Sequence, residues 1–179
     1  DEIIGIGVGP GARPLKGMGA GAMTPTRRIG DEGEDLTVCG MKLKLSMAPG
    51  ETPDHMVVWY EDHKILFSGD NFYRSFPNLY AIRGTPYRDF DTWADTMDLL
   101  LAFKPDVLAP GHTKAVFGNA AITEVLTEYR DAIRHVVDAT RNGMDAGLTM
   151  DQLAHMVKLP PHLADKPRPD DEGSIGDLT

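Results

Sequence analysis

From residue 35 the chain alternates apolar and polar positions in short runs, at 36–39, 42–47, 55–60 and 64–68. In the second run Leu43, Leu45 and Met47 share one face, the period-two signature of a half-buried strand. Cys39-Gly40 and Glu61-Asp62-His63 interrupt these runs and predict hairpins. The period then lengthens. Over 89–103, Phe90, Trp93, Met97, Leu100 and Leu101 recur with helical spacing, and Pro105 ends the pattern. Residues 107–109 read as a short buried strand. A second apolar stripe over 119–141 (Ile122, Val125, Leu126, Tyr129, Ile133, Val136, Val137) predicts a long helix stopped at Asn142-Gly143. Residues 148–157 predict a third helix, with Thr149 as its N-cap, Asp151 and Gln152 in its first turn, and Leu159-Pro160-Pro161 after it. Strands first and helices last predict an α/β domain that leads into a helical one.

The two ends carry no such periodicity. Residues 1–34 form a Gly/Pro-rich arm, with Gly5, Gly7, Gly9, Gly11, Gly17, Gly19, Gly21, Gly30 and Gly33 around Pro10, Pro14 and Pro25. A phosphate-binding loop does not fit, because no strand precedes it, no helix follows it, and Lys16 is succeeded by Gly17 rather than Ser or Thr. A loop of this length is functional, packed on a partner, or ordered by another part of the protein. From residue 165 the Pro, Asp and Gly content predicts a frayed tail.

Composition narrows the partners. The 179 residues are 41% hydrophobic and 25% charged, a globular balance, and the net charge of −9 with no Lys/Arg run argues against a nucleic-acid partner. Cys39 is the single cysteine, so the chain has no internal disulfide or thiolate cluster, and its place in a strand-like run predicts a buried, inert thiol. No apolar stretch approaches the roughly 20 residues that cross a bilayer, and the first residues lack the basic and apolar regions of a secretory signal. Localisation stays open.

Three residues of ligand type stand just after predicted strands, each preceded by glycine: Glu51 after Pro49-Gly50, Asp70 after Ser68-Gly69, and His112 after Pro110-Gly111. Carboxylate and imidazole together suit zinc or a similar divalent ion. Singly, Glu51 is equally well a turn residue, Asp70 a cap and His112 a loop histidine. As a set they favour a metal site. His135 and His155 fall within helices and read as surface or core-edge residues. Trp59, Phe67 and Trp93 read as core residues, and Met18 and Met23 either as gap fillers or as the lining of an apolar groove.

The sequence Ser68-Gly69-Asp70, a helix, and then Pro110-Gly111-His112 resembles the metallo-β-lactamase superfamily. Pro49-Gly50-Glu51-Thr52-Pro53, with nineteen positions from Glu51 to Asp70, is similar to the alkyl sulfatase branch, although that branch usually carries Glu where this chain has Asp70. The resemblance continues in Asn78-Leu79-Tyr80-Ala81-Ile82-Arg83-Gly84, in Tyr129-Arg130-Asp131-Ala132-Ile133, in Leu159-Pro160-Pro161-His162-Leu163-Ala164, and in the arm at Gly17-Met18-Gly19 and Pro25-Thr26. It implies the C-terminal half of an αββα sandwich over 35–118, followed over 119–179 by the first helices of an α-helical dimerisation domain.

What the resemblance implies chemically is a metal-dependent sulfuric ester hydrolase acting on an alkyl sulfate or similar small-molecule ester. Glu51, Asp70 and His112 would be metal ligands, and Asn78 and Arg83 would hold the sulfate group. Arginine suits the latter role because it offers a fixed fork of donors to a tetrahedral oxyanion. The complete enzyme would carry two zinc ions, or another divalent metal, with metal-bound hydroxide as nucleophile and no protein residue assigned to that step. It would be a homodimer. The family's His-Xaa-His-Xaa-Asp-His signature is absent, since the six histidines (His55, His63, His112, His135, His155, His162) are not so spaced. The chain is therefore expected to be incomplete and inactive alone, with a second chain as one source of the missing ligands. Two other functions stay open: a metallo-β-lactamase-fold hydrolase of a lactone, thioester or phosphodiester, and a non-catalytic assembly fragment.

Overall fold

The computed structural model describes residues 27–79 and 87–164. Six strands, β1 (Glu34–Val38), β2 (Met41–Met47), β3 (Met56–Tyr60), β4 (Ile65–Gly69), β5 (Val107–Pro110) and β6 (Val116–Phe117), pair in sequence order into one mixed sheet. The first four form an antiparallel meander, β5 adds to β4 in parallel, and β6 returns antiparallel to β5. A parallel pair needs a crossover. Helix α1 (Phe90–Ala102) supplies it, and α2 (Asn119–Asp145), α3 (Met150–Met156) and α4 (Pro161–Ala164) follow.

Register decides which side chains share a face. Trp59 pairs with Leu66, Leu66 with Leu108, and Leu108 with Val116, a row across four strands in which every member is buried. Trp93, Met97 and Leu100 of α1 and Ile122, Leu126 and Ile133 of α2 belong to the same core as that row. The neighbouring row, Val58, Phe67 and Ala109, faces the other way, and there Phe67 is 44% exposed. The expectation of a core Phe67 is thus corrected by strand alternation: Leu66 and Ser68 take the inward positions.

Two further expectations are corrected. Cys39 is exposed, because β1 ends at Val38 and Cys39, with φ of +50°, turns the chain with Gly40 into β2. Helix α2 does not stop at Asn142-Gly143 but continues to Asp145. Gly143 is a contact point rather than a cap: a Cβ there would lie 2.3 Å from Cδ2 of Leu153, so its absence lets α3 approach. Strand β6 and helix α4 are too short to carry a periodic pattern and went unpredicted. The expected frayed tail and most of the arm lie outside the described residues.

The other predicted elements form with shifts of one or two residues at their ends. Asp89 caps α1 through a bond from the Thr92 N–H at 3.1 Å, and Thr149 caps α3 in a capping box with Gln152. Along the α1–α2 seam, Asp91 pairs with Arg141, Asp95 and Asp98 with Arg134, and Asp98 also with Arg130.

Candidate metal centre

Strand direction brings the three candidate ligands to one edge. Since β2 and β3 are antiparallel, as are β3 and β4, β2 runs the same way as β4, and β5 runs parallel to β4. The carboxyl ends of β2, β4 and β5 therefore open at the same side of the sheet. Glu51, Asp70 and His112 follow those ends, where open α/β sheets place their sites. A backbone bond of 2.9 Å from the Gly111 N–H to the Gly69 carbonyl extends the β4–β5 pairing to the turn itself.

Asp70 and His112 meet directly, with Nδ1 of His112 2.6 Å from Oδ1 of Asp70. The ionised carboxylate can only accept, so Nδ1 donates, and in the neutral tautomer Nε2 has the lone pair that could meet another partner. No ion fits between atoms so close. With the bond intact, Nε2 of His112 and the second oxygen of Asp70 face different directions, so a single ion taking both residues as ligands would have to replace the bond.

Glu51 sits apart from that pair but within electrostatic reach. Its Oε1 accepts from Nη2 of Arg88 at 2.6 Å, while Oε2 is buried with no hydrogen-bond partner among the described residues. Burial raises the Glu51 carboxyl above its usual range. Arg88 and His55 oppose that shift, and the charge of Asp70 adds to it. A buried carboxylate oxygen with no donor costs stability in a bare protein, and a bound cation removes that cost. The donor chemistry, two carboxylates and an imidazole, fits a divalent ion in the same way. Among the described residues, however, no group of three His, Cys, Asp or Glu side chains converges closely enough to hold a metal ion. These residues fit one side of such a centre.

Packing fixes the turns that carry these groups, and Asn71 is the hub. Fully buried, it donates from Nδ2 to the Ala48 carbonyl at 2.6 Å and accepts at Oδ1 from the Glu51 N–H at 3.1 Å. Its own carbonyl accepts from Nε1 of Trp93 at 3.0 Å. The turns after β2 and β4 are thereby tied to each other and to α1. Only Gly69 of the three site glycines has a left-handed backbone, at φ of +53°. Gly50 and Gly111 are required by contact instead, because added Cβ atoms would lie 2.3 Å from Oδ1 of Asn71 and 2.4 Å from Oδ1 of Asp70.

Of the proposed sulfate-binding pair, Asn78 is described and Arg83 lies outside the described residues. The Asn78 N–H donates to the Tyr73 hydroxyl at 2.7 Å, and its carbonyl accepts from Nη1 of Arg88. The sequence reading missed Asn71, Arg88 and His55, whose Nε2 lies 3.0 Å from the Ser68 carbonyl. The available signals were small: Asn71 directly follows Asp70, and Arg88 directly precedes the cap of α1. His135 and His155 take no part, His135 bonding the Lys158 carbonyl at 2.8 Å. Trp59 and Trp93 are core residues, as expected.

Comparison with known proteins places this geometry. The model of the metallo-beta-lactamase superfamily matches residues 17–112. The chain is 39% identical over 156 residues to a linear primary-alkylsulfatase of a Pseudomonas strain, covering 86% of this chain and 29% of that protein. It is 30% identical over 145 residues to an alkyl/aryl-sulfatase of Saccharomyces cerevisiae, covering 79% of this chain and 22% of that one. Among solved structures, a stereoselective inverting sec-alkylsulfatase from Pseudomonas superposes with a TM-score of 0.75 at 31% identity, over 80% of this chain and 23% of that one. The chain thus spans less than a third of the length of each of these relatives.

Proposed function

The chain belongs to the metallo-β-lactamase superfamily, and on that premise we propose that it contributes one side of the active site of a sulfuric ester hydrolase acting on alkyl sulfates. The observation that carries this reading is the common edge reached by the ends of β2, β4 and β5. There the Asp70–His112 contact of 2.6 Å shares the same end of the sheet with a Glu51 carboxylate whose Oε2 is buried and unpartnered among the described residues. Two relatives that cover 86% and 88% of this chain are named linear primary-alkylsulfatases.

The superfamily uses divalent metal, and zinc is our choice from the donor set of carboxylate and imidazole. Such an ion, when bound, supplies Lewis acidity and an activated water at neutral pH. This chain's residues would do the rest. Asp70 and His112 present donors from adjacent turns, and Glu51 presents Oε2. Asn78 and Arg83 orient the sulfate group, the arginine offering paired donors to two of its oxygens. The helical part from residue 119 would serve a homodimer, and the remaining metal donors would come from a segment with the His-Xaa-His-Xaa-Asp-His pattern.

Inorganic sulfate released from a linear alkyl sulfate tests the reading. Residues 1–179 alone should give background, and a polypeptide bearing that histidine pattern should restore turnover. Asp70→Ala should abolish the restored turnover. Hydrolysis of a lactone, thioester or phosphodiester without sulfate release would favour another hydrolase of the same fold. Absence of any metal or turnover in the reconstituted pair would favour an assembly module.

A further inference from the structure

We propose that Arg88 is a positioning residue that restrains the Glu51 carboxylate at Oε1, leaving Oε2 as its unbonded oxygen, and joins it to the Asn78 carbonyl. The inference rests on the metal-site reading above and assigns a residue to which that reading gives no part. Three contacts converge on one guanidinium. Nη2 donates to Oε1 of Glu51 at 2.6 Å, Nη1 donates to the Asn78 carbonyl, and the guanidinium carbon lies 5.7 Å from the centre of the Trp93 ring. The side chains of Arg88 and Glu51 are only 15% and 18% exposed.

A carboxylate has two oxygens and can take an ion on one or both. Here Arg88 occupies Oε1, and Asn71 Oδ1 holds the Glu51 backbone N–H at 3.1 Å, so the group is restrained at both its carboxylate and its main chain. Oε2 is buried and has no hydrogen-bond partner among the described residues. The unbonded oxygen of Glu51 is therefore held in place before an ion arrives. Partners of this kind commonly alter metal affinity by about 10- to 100-fold when removed. Arginine suits the task because its planar fork reaches two acceptors at once, whereas the single ammonium of lysine does not reproduce that geometry. Trp93, fully buried and bonded to the Asn71 carbonyl at 3.0 Å, fixes the surface on which the fork lies.

The same fork makes the position of Glu51 depend on the Asn78 carbonyl. Arg88 thus links the carboxylate at the metal side to Asn78, one of the two residues assigned to the sulfate group.

Calorimetric titration, with Zn2+ and with Mn2+, of the protein reconstituted with the polypeptide bearing the histidine pattern tests this without recourse to activity. Arg88→Lys and Arg88→Gln are expected to weaken binding about 10- to 100-fold while leaving the far-UV spectrum that of a folded protein at the titration temperature. Glu51→Gln should weaken it as well, and combining it with Arg88→Lys should add little, because Arg88 acts through Glu51. Equal affinity in wild type and both Arg88 variants, with Glu51→Gln still weakened, would overturn this inference alone. If wild type binds neither ion, or if Glu51→Gln, Asp70→Ala and His112→Ala all leave binding unchanged, the site reading fails and this inference fails with it.

Discussion

The α1–α2 seam and the carboxyl edge of the sheet treat their acidic groups in opposite ways. On α1, Asp91, Asp95 and Asp98 each meet an arginine of α2, and all of these aspartates are substantially exposed. At the sheet edge Glu51 is mostly buried, one oxygen meets Arg88, and the other has no hydrogen-bond partner among the described residues. Hydrogen bonds from Arg130 and Arg134 outweigh burial and hold the Asp98 carboxyl below its usual value of 3.8, whereas burial prevails at Glu51 and raises it above 4.5. The seam has its charges satisfied within the chain. The edge retains an unsatisfied one, which is the mark of a site built to receive something.

If the edge is held rigid by buried structure, breaking its support should cost far more than breaking the seam. Trp93→Ala removes a fully buried indole and its bond to the Asn71 carbonyl, and should lower the unfolding free energy by about 3–5 kcal/mol in urea denaturation. Asn71→Ala strands the Ala48 carbonyl and the Glu51 N–H and should cost about 2–3 kcal/mol by the same measurement. Arg134→Ala cuts two exposed ion pairs on the seam, and its cost should stay below about 1 kcal/mol. A seam variant as damaging as Asn71→Ala would erase the contrast.

The smallest effect is expected from pH. The depressed carboxyl of Asp98 stabilises the native state above the unfolded value of 3.8, and that contribution disappears as pH falls through its lower folded value. Comparison of thermal transitions between neutral pH and pH of about 3 should show a slightly smaller acid loss in Asp98→Asn than in wild type. An identical loss would remove Asp98 from the account of acid stability.

Periodicity exposed what regular burial imposes. The faces of α1 and α2 and the alternation in β2 were legible because each buries one stripe against the same core. Glu51, Asp70 and His112 were legible as ligand types after strand-like runs, but nothing in their spacing says that β2, β4 and β5 run the same way. That follows from two antiparallel pairings and one parallel one.

The errors have equally local causes. Gly143 looked like a helix stop because glycine commonly ends helices, yet here it makes room for Leu153. Cys39 looked buried because its run is apolar, yet the hairpin begins one residue earlier than the run ends. Arg88 and Asn71 escaped notice because their roles depend on partners 37 and 20 positions away in sequence.

Cobalt substitution addresses the central claim most directly, since Co2+ bound by imidazole and carboxylate absorbs in the visible while free aqueous Co2+ absorbs only weakly. Titrating Co2+ into the protein reconstituted with the polypeptide bearing the histidine pattern should produce a saturable band that Asp70→Ala and His112→Ala each diminish or shift. An unchanged band in both variants, or no band in wild type, would contradict a metal centre at the ends of β2, β4 and β5.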